Sequence, residues 1–168
     1  MIYLSYRVIP IVILSLFLFD NNVIAQVNDN HDHDHHHEHG ANEIGVGNLI
    51  SYLVNEQEYA YGLHVHYMRS VKDTWFEYGI GYEQIFDEHQ HRALGVIGSY
   101  RPLPQLILSV SPGILFPNQE HSGIRFVFHT EAAYEFEMGP FHLGPLLDFA
   151  TTFKELHIGA GLHLGFTF

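Results

Sequence analysis

The chain has 168 residues, enough for one domain. It contains no cysteine, which excludes a disulfide framework and any thiolate metal site. Its formal net charge is −12 with histidine neutral, and it has only 7 Lys and Arg, so a nucleic-acid partner is excluded for want of phosphate-binding cations.

In chain order, the first element is an apolar run. Arg7 precedes Val8 to Phe19, a polar patch follows at Asp20, Asn21 and Asn22, and then comes Val23-Ile24-Ala25. This reads as a secretory signal peptide over residues 1–25, cut after Ala25. About 12 apolar residues fall short of the roughly 20 that a spanning helix needs. The next residue is Gln26 rather than Cys, so no lipoprotein is expected.

Residues 26–41 form a tail around the tract NDNHDHDHHHEHG, Asn28 to Gly40. The tract from Asn28 to Gly40 has no hydrophobic side chain with which to build a core and is expected to be disordered when unliganded.

From Asn42 to Phe168 the chain alternates apolar with small or polar residues, the period of a β-strand. Eight segments are predicted: 43–54, 59–69, 74–86, 93–101, 106–116, 124–138, 141–150 and 156–168. The second is the cleanest. Tyr59, Tyr61, Leu63, Val65 and Tyr67 face one way, and Ala60, Gly62, His64, His66 and Met68 the other. The last, LHIGAGLHLGFTF, sets Leu156, Ile158, Leu162, Leu164, Phe166 and Phe168 against His157, Gly159, Gly161, His163 and Gly165. The links after the second, fourth and sixth segments are tight; those after the third and fifth are longer and polar. Pro112 and Pro145 sit inside strands, where the missing N–H implies a bulge or a local break. A soluble sandwich or cup would need a charged exterior, and these polar faces are too rich in glycine to supply one.

The alternation, the even strand number, the signal peptide and the terminal aromatic Phe168 resemble the small eight-stranded bacterial outer-membrane β-barrels, the class of the OmpA barrel and OmpX. The resemblance covers Asn42 to Phe168 and is architectural. It implies an all-β, closed, antiparallel up-and-down transmembrane barrel. It also implies outer-membrane lipid and the barrel assembly machinery as partners, and an N-terminal tail in the periplasm. It implies little about activity, because this fold hosts many roles.

Three chemistries are open to such a chain. First, the tail offers His31, His33, His35, His36, His37 and His39 with Asp32 and Asp34. Mostly neutral imidazole and carboxylate at this spacing suit zinc, copper or nickel, held loosely in several exchanging sites and not required for folding. A periplasmic metal-handling protein would then be a partner, with the barrel accessory to metal uptake, efflux or buffering. The competing reading is a structural or surface-interaction barrel with an incidental tail. Second, the interior carries His66 opposite Glu77, Glu137 opposite His142, and also Arg125, His129, Glu131, Glu135, Asp148, His157 and His163. These are expected to be polar packing rather than a metal or proton path, since eight strands leave an interior just wide enough for side chains. Third, no enzyme is expected. His129-Thr130-Glu131 lacks the Ser of the lipid A deacylases' His-x-Ser pair, and Asp87, His89, His91 and Ser122 lack a recognisable spacing. The loop Asp87–His91 is expected to be an ordinary solvated loop.

Overall fold

The computed structural model describes residues 42–88, 90–118 and 122–168. The predicted signal peptide and the His tract therefore lie outside the described residues. Nine strand segments follow in order: β1 (Asn42–Leu53), β2 (Glu58–Ser70), β3 (Phe76–Phe86), β4 (Arg92–Leu103), β5 (Leu106–Leu115), β6 (Arg125–Tyr134), β7 (Phe136–Met138), β8 (Phe141–Thr151) and β9 (Leu156–Thr167). Each pairs antiparallel with its neighbour, β1 pairs with β9, and β6 and β7 both pair with β8.

Eight barrel strands result, because β6 and β7 are two lengths of one strand. Ala133 opposes Leu146 and Phe136 opposes Leu143, so the register is unbroken across Glu135. The gap faces Gly144 and Pro145, and Pro145 has no N–H to give. The Glu135 N–H instead donates to the Gln105 carbonyl at 2.7 Å on the other side. Pro112 acts similarly. The β4–β5 pairs lapse between Gly95↔Gly113 and Gly98↔Val110, then resume in the same register. Both prolines interrupt the ladder without a bulge; the register shift in this pair lies instead between Tyr100 and Leu103.

At one end the links are tight. Residues 72–75 close β2–β3 through Val71 N–H to Phe76 O, with Asp73 at φ 59°, and Gly139 at φ 68° makes the two-residue link to β8. Asn42 and Phe168 exchange backbone hydrogen bonds at this same end. The other end carries the longest connection, residues 116–124, with the links at 54–57, 87–91 and 152–155.

The outward face is apolar and exposed: Ile80 is 57 % exposed, Val96 60 % and Leu147 62 %. A belt of this kind around a sheet has a membrane as its solvent. Ring pairs border it at both ends. Phe76–Tyr100, Phe141–Phe166 and Tyr134–Phe136 lie toward the tight links, and Tyr52–Tyr59 and Tyr61–Phe86 toward the loops. Apart from β7, the strands have 10–13 residues, enough to cross a bilayer on a tilt.

The interior is less polar than the sequence pattern implies. Leu49, Ile107, Ala133 and Leu146 form one buried cluster, Ala93, Leu115, Val127 and Ala150 a second, and Leu53, Ala60 and Ile85 a third. Glycine leaves volume unfilled, and these side chains fill it.

Candidate functional site: two imidazole–carboxylate clusters inside the barrel

Inward positions of nearly every strand converge on two polar groups. The first lies toward the tight links and is organised by Arg101 of β4. Its guanidinium reaches Glu77 Oε1 at 2.9 Å, Glu135 Oε2 at 3.0 Å and Glu43 Oε2 at 3.5 Å. Three imidazoles complete it. His66 Nε2 lies 3.2 Å from Glu43 Oε1, His142 Nε2 lies 3.3 Å from Glu43 Oε1 and 3.4 Å from Glu135 Oε1, and His163 Nδ1 lies 2.9 Å from Glu135 Oε1. The rings of His66 and His163 stack at 5.1 Å. Glycines make room for them: a Cβ on Gly45 would stand 2.2 Å from His66 Nε2 and 2.5 Å from His163 Nε2, and one on Gly165 1.8 Å from His142 Nε2.

This arrangement corrects one expected pair. His66 does not face Glu77, because the β2–β3 hairpin is wider than a link at 70–73 allows. Val71 closes on Phe76, His66 opposes Gly81, and Glu77 opposes Ser70. Glu137 does oppose His142 in register, but the His142 Nε2 contacts described run to Glu43 and Glu135.

The second group lies toward the loops: Glu83 of β3, His129 of β6, Asp148 of β8 and His157 of β9. His129 Nδ1 is 3.1 Å from Glu83 Oε2 and 3.6 Å from Asp148 Oδ1. His157 Nε2 is 3.8 Å from Glu83 Oε1 and 3.7 Å from Asp148 Oδ2. His64 and Glu131, 3.2 Å apart, stand beside it. In the ladders His64 opposes Glu83 and Glu131 opposes Asp148, so two acids face one another directly. A cavity of about 50 Å³, lined by Glu43, His64, Glu83, His129, Glu131 and His163 among others, runs between the two groups.

Beyond the strands, the 87–91 link is not simply solvated. His91 is buried, its Nδ1 2.6 Å from Asp87 Oδ2, and its N–H donates to Asp87 Oδ1. Burial pulls the His91 pKa down, but the Asp87 hydrogen bond and the Asp87 and Glu155 charges outweigh it and leave it raised. Burial likewise pushes Asp87 up, and the same His91 hydrogen bond and charge leave it lowered. Arg125 pairs with Glu155 at this end.

Of the residues singled out as metal ligands from sequence, His31, His33, His35, His36, His37, His39, Asp32 and Asp34 lie outside the described residues, as does His89 of the outer loop. The inward histidines and acids do come together. Glu43, Glu135, His142 and His163 form one set whose ligand atoms lie within 4.8 Å of one another, and Glu83, His129, Asp148 and His157 form another. The organising cation, Arg101, and the carboxylate Glu43 were not picked out from the sequence. Period two from Ser99 would have turned Arg101 inward, and the same parity from Gly45 would have turned Glu43.

No family model and no curated protein sequence matches the chain. Solved structures do. Neisserial surface protein A superposes with a TM-score of 0.57 at 7 % identity, over 76 % of this chain and 96 % of that one. A de novo designed transmembrane β-barrel superposes at 0.53 and 15 % identity, over 73 % and 94 %. The class is thereby defined: a closed, eight-stranded antiparallel transmembrane β-barrel, the fold of the small outer-membrane barrels. Within that class, this chain has an interior built around two imidazole–carboxylate groups.

Proposed function

We propose that this chain is a non-enzymatic barrel of a bacterial outer membrane that holds divalent transition metal on the periplasmic side through His31–His39. What supports the reading is the end of the barrel at which β1 begins. Residue 42 begins β1 at the tight-link end, where the backbone bonds between Asn42 and Phe168 close the sheet. Tight links are periplasmic in this class of barrel, so the tract enters on that side. The barrel end at which β1 begins carries Glu43, Glu135, His142 and His163, the same nitrogen and oxygen donor types that the tract repeats. Such donors bind zinc, copper or nickel, and a periplasmic metal-handling protein is the partner the chemistry fits.

Deletion of residues 28–40 tests the reading. Zinc and copper content of outer-membrane fractions is expected to fall, and tolerance of excess metal with it. Unchanged content and tolerance would hand the protein to the structural or surface-interaction reading instead. Location is checked separately by a heat-modifiable gel shift in outer-membrane fractions.

A further inference from the structure

The loop-end group invites a sharper assignment than polar packing. We propose that Glu83, His129, Asp148 and His157 form a rigid, buried site for one divalent first-row transition ion, zinc being the fitting example. It stands whether or not the His tract binds metal.

Geometry is the first support. Four ligands at about 2.0–2.2 Å from a tetrahedral ion stand roughly 3.3–3.6 Å apart. Here Glu83 and Asp148 each turn one oxygen toward His129, at 3.1 and 3.6 Å, and the other toward His157, at 3.8 and 3.7 Å, and one donor atom from each of the four residues lies within 4.8 Å of the other three.

The second support is independent. Glu83 Oε1, Asp148 Oδ2 and His157 Nε2 are all buried and make no hydrogen bond. His157 Nε2 stands 3.8 Å from Glu83 Oε1 and 3.7 Å from Asp148 Oδ2, beyond hydrogen-bond reach. Atoms that converge on a common point without bonding each other are placed as ligands, and orphaned buried polar atoms otherwise cost about 1–3 kcal/mol each.

Charge is the third. Among the described residues, Glu83 and Asp148 have imidazoles but no guanidinium or ammonium within ion-pair distance, and Glu131 faces Asp148 across the ladder. Arg101 directs its ion pairs to Glu43, Glu77 and Glu135, and Arg125 to Glu155. A divalent cation supplies what those arginines do not. A pocket lined by Glu83, His129 and His157 continues to His91, Glu155 and Thr152 at the loops. Two nitrogens and two oxygens, with no sulfur, select zinc, manganese, iron(II) or cobalt(II) rather than copper(I).

The test uses the full chain in detergent, with His31, His33, His35, His36, His37 and His39 replaced by Asn so that the tract does not compete. Cobalt(II) is the probe, because its visible absorption is intense only when tetrahedral. One equivalent is expected to bind with that spectrum and to be displaced by zinc. D148N, H157N and E83Q are each expected to weaken binding at least ~100-fold, while H163N in the other group leaves it within about threefold. A heat-modifiable gel shift verifies folding, and the three conservative variants back one another up should one fail to insert. No bound cobalt in the tract-substituted chain, or binding unchanged in all folded variants, overturns the proposal. Failure of the tract reading looks different: equal metal stoichiometry with and without the six tract histidines.

Discussion

Both interior groups are built from imidazoles and carboxylates, and only one of them contains a guanidinium. Toward the tight links, Arg101 sits among Glu43, Glu77 and Glu135 and meets each of them within 3.5 Å. Toward the loops, Glu83 and Asp148 have only imidazoles for near partners. The first group ties its three carboxylates to one fixed guanidinium. Buried atoms without a hydrogen bond occur in both groups, Glu135 Oε1, His142 Nε2 and the His163 nitrogens in the first and Glu83 Oε1, Asp148 Oδ2 and His157 Nε2 in the second, but only the first has a guanidinium among its acids. A fixed internal cation is therefore what the loop-end group lacks.

The comparison can be broken most directly at Arg101. R101M leaves three buried carboxylates without their cation, and removing one partner of a buried ion pair costs about 3–5 kcal/mol. Urea titrations in detergent micelles, followed by Trp75 fluorescence, are expected to show a loss of that size. A loss below about 1 kcal/mol would mean that the imidazoles hold this end by themselves.

A smaller effect comes from the glycines. G45A forces a methyl into the stacked rings of His66 and His163 and should cost about 1–3 kcal/mol by overpacking. G159A, whose Cβ would meet Leu49 Cδ2 and Ser51 Oγ at 3.2 Å, should cost less than half as much in the same titrations. Equal costs would show that the tight-link cluster is no more closely packed than its counterpart.

D148N sharpens the contrast from the other side. In metal-free protein it removes one of two acids that face each other, and like charges so placed are worth roughly 0.2–1 kcal/mol of destabilisation. Stability in EDTA is expected to hold or rise slightly. E135Q, which takes a carboxylate from Arg101, is expected to lower it. Loss of stability in both would remove the distinction.

The smallest effect is a pH dependence at the 87–91 link. His91 is raised above its ordinary value of 6.5, so its contribution is full below that value and is lost as pH climbs through the raised pKa. Asp87 is lowered from 3.8, so its contribution is present above that value and is lost as pH falls through the lowered one. The pair holds the link best between about pH 4 and 6.5. An NMR titration of the His91 ring should give a midpoint above 6.5 that falls in D87N; an unchanged midpoint would sink the pairing.

The sequence carried the barrel more completely than its contents. Alternation located every strand to within two residues at most ends, because each outward face is a run of large apolar side chains. Parity also put His129, Asp148, His157 and His163 inside. Two things escaped it. Register across a hairpin depends on turn geometry, and Asp73 in the left-handed region widens the β2–β3 turn, which moved His66 away from Glu77. Cross-barrel distance depends on tilt and stagger, which no local pattern encodes. His129 meets Glu83 although they lie on strands that are not neighbours, and only the closed sheet brings them within 3.1 Å. Leu49, Val127 and Leu146 were overlooked inside because they break the small-or-polar pattern of their own faces.

The seam between β1 and β9 has a consequence for assembly. From Glu43↔Thr167 to Leu53↔His157, nearly all of β1 pairs with the strand farthest from it in sequence. Every other junction joins neighbours along the chain and can zip up hairpin by hairpin, at little loop-closure cost. The seam cannot. Until β9 is in place, β1 presents a bare row of donors and acceptors, an edge open to any other extended chain. The half-made sheet is thus the most vulnerable form of this molecule, and a catalyst of closure would act at this one junction.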